Sequence, residues 1–193
     1  MITSRIHQFG RVTFPDFIGE RVHMREFTRE AGLPADLRRW QDTVDAMLDG
    51  VEADGPIYLM IDQAPVLASS THRRPGLHVD GYWHPAQSDS AAGRHTGVQT
   101  GSHRHVHFGS SAEGLILASN VLGCAAYVGA YEGVPGEGGD CDHVDTGGLM
   151  KVDLEPGRVW AGHTLNMLHE SLPVARDCMR TVVRLNVPGW IPA

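Results

Sequence analysis

Lysine is almost missing from this chain. Lys151 is the only one, so arginine carries nearly all the positive charge of the 16 basic side chains. Set against 23 acidic residues, they leave a formal net charge of −7. Binding a phosphate backbone needs a concentrated basic surface, so nucleic acid is not expected as a partner. Cysteine is scarce too. Cys124, Cys141 and Cys178 are odd in number and form no CxxC pair, which argues against a disulfide framework and against a thiolate zinc site. No apolar run approaches the roughly 20 residues of a membrane span. The opening MITSRIHQFGRVTF holds no apolar stretch of leader length. These absences together lead us to expect a cytoplasmic, reducing setting with no membrane partner.

What is present fits one domain with a full core: 193 residues, read as residues 1–55 forming an N-terminal helical support and 56–193 forming the core. Leu37, Trp40, Val44, Met47, Leu48 and Val51 recur at helical spacing between Pro34, which suits a first turn, and Gly50, which suits a stop. The spacing predicts one amphipathic helix whose apolar stripe packs on a sheet. From residue 56 the pattern changes to short β-type runs between Gly and Pro. They are Ile57–Ile61, Val66–Ser70, Leu77–Trp83, Leu115–Val121, Ala125–Tyr131, Leu149–Leu154, Arg158–Trp160 and Thr181–Val187. Many short strands after one helix, with no βαβ alternation, indicate a helix-backed sandwich or barrel. Two long stretches interrupt them. Ala86 to Gly114 is polar and small, and Gly129 to Gly148 holds seven glycines and an acidic cluster. Such loops in a compact domain are lids, substrate loops or disordered segments.

The chemistry begins at His78 and Asp80 in RPGLHVDGYW. A lone HxD is weak, since about one is expected by chance in this composition, and the chain holds a second at His143 and Asp145. Physical context separates them. His78 and Asp80 follow a Pro-Gly turn in a run with strand character, where residues i and i+2 share a face and can grip one ion. His143 and Asp145 lie in GEGGDCDHVDTGG, which lacks strand character and reads as a solvated loop. A third ligand is sought in EPGRVWAGHTLNMLHESLPVARDCMR. His163 and His169 both qualify, and His169, beside the strand-like SLPV and nearer the arginines, is preferred. Two imidazoles and one carboxylate bind one face of Fe(II) and leave open positions for a chelating cosubstrate and O2.

Beyond His169 the run TVVRLNV is a strand by β-branched content, and Arg180 and Arg184 share its parity. Two arginines on one face of an apolar strand need anions to meet them, unless one snorkels to water at an edge. Tyr82 and His84 continue the face of the HxD pair as substrate contacts or as packing. Asn120 and Tyr127 are polar groups on central strands that contact a ligand or are satisfied internally. His103, His105 and His107 alternate and could hold a second metal, although a solvated cluster is preferred. Cys124 and Cys178 flank apolar runs and read as small buried hydrophobes.

These residues resemble the Fe(II)/2-oxoglutarate-dependent oxygenase superfamily, whose mark is HxD, a distal His, then Arg about ten residues on. The resemblance covers residues 56 to 187. It implies a mainly β fold with helices, namely a double-stranded β-helix, the cupin-like jelly roll, with an N-terminal helix packed on one sheet. It implies His78, Asp80 and His169 as iron ligands. Arg180, 11 residues after His169, would pair with the far carboxylate of 2-oxoglutarate. Arg184 falls where taurine-dioxygenase-like members hold an anionic substrate group, although CAAYVGAYEG replaces the commoner glycine-glycine-acid stretch after the central strand. The implied reaction is oxidation, usually hydroxylation, of a small-molecule or peptide-like substrate, with release of succinate and CO2. Two alternatives remain open: a cupin-like metal-dependent enzyme that does not use 2-oxoglutarate, and a noncatalytic jelly-roll binding module.

Overall fold

The computed structural model describes residues 1–80 and 113–193. Its strands are β1 (Ile2–Ser4), β2 (His7–Arg11), β3 (Arg21–Phe27), β4 (Ile57–Val66), β5 (Glu113–Ser119), β6 (Cys124–Tyr131), β7 (Met150–Asp153), β8 (Arg158–His163), β9 (Leu168–Ser171) and β10 (Cys178–Pro188). They form two antiparallel sheets. The larger has the order β2-β8-β5-β10-β4-β3. In the smaller, β7 lies on one side of β6, which also pairs with β1 and with β9. Central β10 runs against β4 from Cys178↔Val66 to Asn186↔Tyr58 and against β5 from Val182↔Ser119 to Pro188↔Glu113. The result is the expected jelly roll.

Alternation along these strands explains the layering. Ile57, Leu59, Ile61, Ile116, Ala118, Val183, Leu185 and Val187 join one cluster with Leu37, Trp40, Val44, Met47 and Leu48 from the helical segment. The other parity faces the smaller sheet: Leu115, Leu117 and Trp160 pack with Ala126, Leu154 and Met167. The larger sheet is therefore apolar on both faces, and its inner face also carries Arg180, Arg184 and Asn186.

Several elements differ from the sequence expectation. The single helix is a 3₁₀ segment, Ala35–Trp40, followed by α1, Gln41–Met47. Leu37 N bonds Pro34 O in an i→i+3 contact, and this tighter winding still buries the stripe. The support read over 1–55 is not only helical, because residues 1–27 contribute three strands, two of them on the larger sheet. These strands are short or heavily exposed, so no apolar alternation announced them. Val66–Ser70 is not a separate strand: Val66 ends β4, and a turn closed by Ser70 N on Leu67 O follows. The Ala86–Gly114 stretch, apart from Glu113 and Gly114 in β5, and the end of Leu77–Trp83 lie outside the described residues.

The connection from β4 to His78 is tied down by Asp62. Arg73 Nη1 donates to its Oδ2 at 2.7 Å, His72 Nε2 stands 3.3 Å from Oδ1, and Arg21 Nε reaches Oδ1 at 3.5 Å. Burial alone would raise this carboxyl, but His72 and then Arg73 outweigh it and hold it well below the usual range. A carboxylate depressed on folding stabilises the protein above its unfolded value, near 3.8, and that contribution drains as pH falls below it. Asp62→Asn is expected to lower stability at pH 7 by about 1–3 kcal/mol. It should also flatten the acid limb below about pH 4, both read by urea unfolding across pH. In the core, Trp40 is fully buried, and Trp40→Ala should cost about 3–5 kcal/mol in the same assay.

Candidate metal centre

The segment carrying His78 belongs to no regular strand. It is extended and held by isolated bridges to Asp140 and to His169. His78 N donates to His169 O at 2.9 Å, and His169 N returns a bond to His78 O at 3.0 Å. Val79 N bonds Gly139 O at 2.9 Å, Cys141 N bonds Leu77 O at 2.8 Å, and Asp80 N bonds Thr164 O at 3.1 Å. The glycine- and acid-rich stretch after β6 thus frames the HVD segment. Gly76 makes the entry possible. Its φ is +85°, and an added Cβ would stand 2.8 Å from the Asp142 carboxylate, which accepts the Leu77 amide at 2.6 Å. The Pro-Gly turn was visible in the sequence; its clasp by Asp142 was not.

His169 comes from β9, opposite Ala126 on β6. The imidazoles of His78 and His169 lie with ring centroids 4.3 Å apart and planes tilted by 57°. With Asp80 they form a group in which one ligand atom from each lies within 4.8 Å of the others. His169 Nε2 stands 3.3 Å from Asp80 Oδ2. Both rings are oriented from behind. His78 Nδ1 is 2.8 Å from Gly76 O and His169 Nδ1 is 3.0 Å from Met167 O. A carbonyl oxygen only accepts, so each Nδ1 carries a proton and Nε2 is the ring nitrogen left to face an ion.

The electrostatics agree with that tautomer. Burial, then the neighbouring His169, push the His78 imidazole down to about 3, so it is neutral at pH 7, the form that ligates metal. Burial would raise the Asp80 carboxyl, but Arg184 and then His169 hold it well below its usual range. A neutral His78 imidazole and an ionised Asp80 carboxylate, with His169 beside them, make a donor set suited to a divalent transition metal.

The arginines occupy different surroundings. Arg180 is fully buried. Its Nε donates to Ser119 Oγ and its Nη2 contacts Cys124 Sγ, each at 3.2 Å, while Nη1 has no hydrogen-bond partner. Among the described residues no carboxylate lies within 4.0 Å of it. Gly123 makes room: a Cβ there would sit 2.5 Å from Arg180 Cζ. Arg184, expected to face an anionic substrate, instead donates from Nη1 to Asp80 Oδ2 at 2.8 Å.

The remaining residues sort as follows. His163 stays out of the ligand group, its Nδ1 accepting the Leu165 amide at 3.1 Å. Asn120 is spent on β10, where its Oδ1 accepts from Thr181 N at 2.7 Å and its Nδ2 donates to Met179 O at 3.0 Å. Tyr127 donates to Glu170, which also binds Lys151. His143 and Asp145 lie exposed in a loop, with Asp145 Oδ1 closing a turn on Gly147 N. Cys124 and Cys178 are half-buried rather than buried. Tyr82, His84, His103, His105 and His107 fall outside the described residues.

No family model matches this chain, and no curated protein does. Among solved structures it is similar to a non-heme monooxygenase, ThoJ, in its apo form, at 15% identity and a TM-score of 0.43, covering 80% of this chain and 55% of that one. The ThoJ–nickel complex gives 14%, 0.39, 80% and 53% in the same order. AviO1 from Streptomyces viridochromogenes gives 18%, 0.39, 97% and 75%. The chain thus spans about half the length of ThoJ. At these identities the likeness concerns the course of the backbone alone.

Because Gly123 leaves space that the Arg180 guanidinium fills, Gly123→Ala must displace a buried cation. Overpacking of this kind is expected to cost about 1–3 kcal/mol. Guanidinium chloride unfolding of the variant against the wild type measures it.

Proposed function

We propose that the chain is a non-haem Fe(II)- and 2-oxoglutarate-dependent oxygenase acting on a small-molecule or peptide-like substrate. One observation carries the reading. A two-histidine, one-carboxylate cluster lies against β10 through the Arg184–Asp80 bond, and the same face of β10 carries Arg180, a buried guanidinium with no carboxylate within 4.0 Å among the described residues. A cation taken out of water without a countercharge is strongly unfavourable. Arg180, bonded to a hydroxyl and a thiol and with its Nη1 amino group unused among the described residues, fits the free carboxylate of a dicarboxylic keto acid.

In this reading His78, Asp80 and His169 hold the iron, and Arg180 holds the far carboxylate of 2-oxoglutarate. Bound iron would supply O2 activation at coordination positions the protein leaves open. The chain's own work is orientation and exclusion. The Gly76 and Met167 carbonyls hold the Nδ1 protons and aim both imidazoles. Ser119 and Cys124 fix the guanidinium plane. Leu115, Leu117, Trp160 and Ala126 keep the interior apolar, where each charge acts more strongly than in water. The cytoplasmic setting and the absence of a nucleic-acid partner belong to the same proposal. Among the described residues no helix is long and apolar enough to cross a membrane.

The test separates this reading from a metal enzyme that does without the keto acid. Anaerobic calorimetry should show stoichiometric Fe(II) or Mn(II) binding, lost in His169→Ala. Metal-loaded protein should bind 2-oxoglutarate and form succinate under air. Arg180→Leu should weaken 2-oxoglutarate by about 2–5 kcal/mol, roughly thirtyfold to a few thousandfold, while metal binding persists. Unchanged keto-acid affinity in Arg180→Leu, or no metal uptake by the wild type, would refute it.

A further inference from the structure

We infer that Arg184 is a positioning residue that keeps Asp80 a one-oxygen ligand; this rests on the metal-site reading above and assigns Arg184 a role other than substrate capture. Arg184 stands in the middle of β10, paired with Met60 of β4 and Leu117 of β5. Ladders on both sides therefore fix its backbone. From there Nη1 donates to Asp80 Oδ2 at 2.8 Å, and Nη2 rests against Met24 Sδ at 3.4 Å. The pair is sheltered, with side-chain exposures of 11% for Arg184 and 20% for Asp80.

Met24 is the second, independent sign that this arrangement is built. It is a non-glycine residue with φ 48°, located where the β3–β4 register shifts between Val22 and Arg25. Left-handed backbone at a long side chain persists only where its surroundings hold it. Here the irregularity turns the thioether inward, almost wholly buried with Tyr58, Met60 and Val182. The guanidinium is thus tied on one side to the carboxylate and on the other to sulfur, and its swing is blocked.

The consequence follows from carboxylate chemistry. A carboxylate can serve a metal through one oxygen or through both. If both bind, one coordination position that a keto acid or O2 requires is consumed. A guanidinium bonded to Oδ2 sets the carboxylate plane and draws charge from that oxygen, which disfavours the chelating grip. Lysine, a point charge on a flexible stem, would not fix a plane in this way.

The experiment uses the full chain loaded with Mn(II), and the waters on the ion are counted by line broadening of its electron paramagnetic resonance in ¹⁷O-enriched water. Three one-atom protein ligands in an octahedral ion leave about three waters. Arg184→Leu is expected to show one fewer, as Asp80 closes on the ion with both oxygens, and a water count equal to wild type overturns the inference. A crystal structure of the wild type with Mn(II) gives a second test that needs no variant to fold. It should show one Asp80 oxygen on the ion and Arg184 still bonded to that carboxylate, whereas chelation by both oxygens, or Arg184 turned away, sinks the idea. Mn(II) bound with an unaltered water count removes only this inference. Failure of the wild type to bind Mn(II) removes the metal reading with it.

Discussion

The reciprocal backbone bonds between His78 and His169 are the constraint on which the centre depends. Each residue gives its amide to the other's carbonyl, at 2.9 and 3.0 Å, so two stretches distant in the chain become antiparallel neighbours. Side chains directly opposite on such a pair lie on the same face. Once the pairing forms, both imidazoles must face the same space, and Asp80, two residues on, joins them. Burial and the displacement of the His78 pKa follow from that placement.

The surrounding protein reads as support for that one pairing. The larger sheet devotes its outer face to the helical segment and so frees its inner face for unusual contents. Two arginines on one apolar strand face are the most costly of these. Each is met differently: Arg184 by the Asp80 carboxylate and Arg180 by a hydroxyl and a thiol. Of the two, only Arg184 meets a carboxylate among the described residues. Gly76 and Gly123 give the same message in steric terms, since each stands where a single methyl would collide with a neighbouring side chain, Asp142 and Arg180 respectively.

Much of this was legible in the sequence because it rests on periodicity and residue type. The strands β4 to β8 and β10, the shared parity of Arg180 and Arg184, the preference for the first HVD over the second, and His169 over His163 as the third member of the cluster all match the arrangement of side chains. The Val66 run and the described part of the Leu77 run form no strand of their own, and β9 was not foreseen. What escaped shares a physical character. Strands β1 to β3 lie at sheet margins with little apolar alternation, so pattern alone could not reveal them. The helical segment shows a stripe but not its winding, because 3₁₀ and α turns bury nearly the same residues. Asn120 looked available only because its two partners are backbone groups, which leave no trace in residue identity. The Arg184–Asp80 pair was hidden for another reason: spacing says which face an arginine occupies, not which anion on that face it reaches first.

The carbonyls of Gly76 and Met167, which orient the two rings, have an evolutionary corollary. No amino-acid replacement can delete a main-chain oxygen. The orientation of both imidazoles, each with a proton on Nδ1, is therefore inherited from the path of the backbone and survives whatever side chains come to line the space they face.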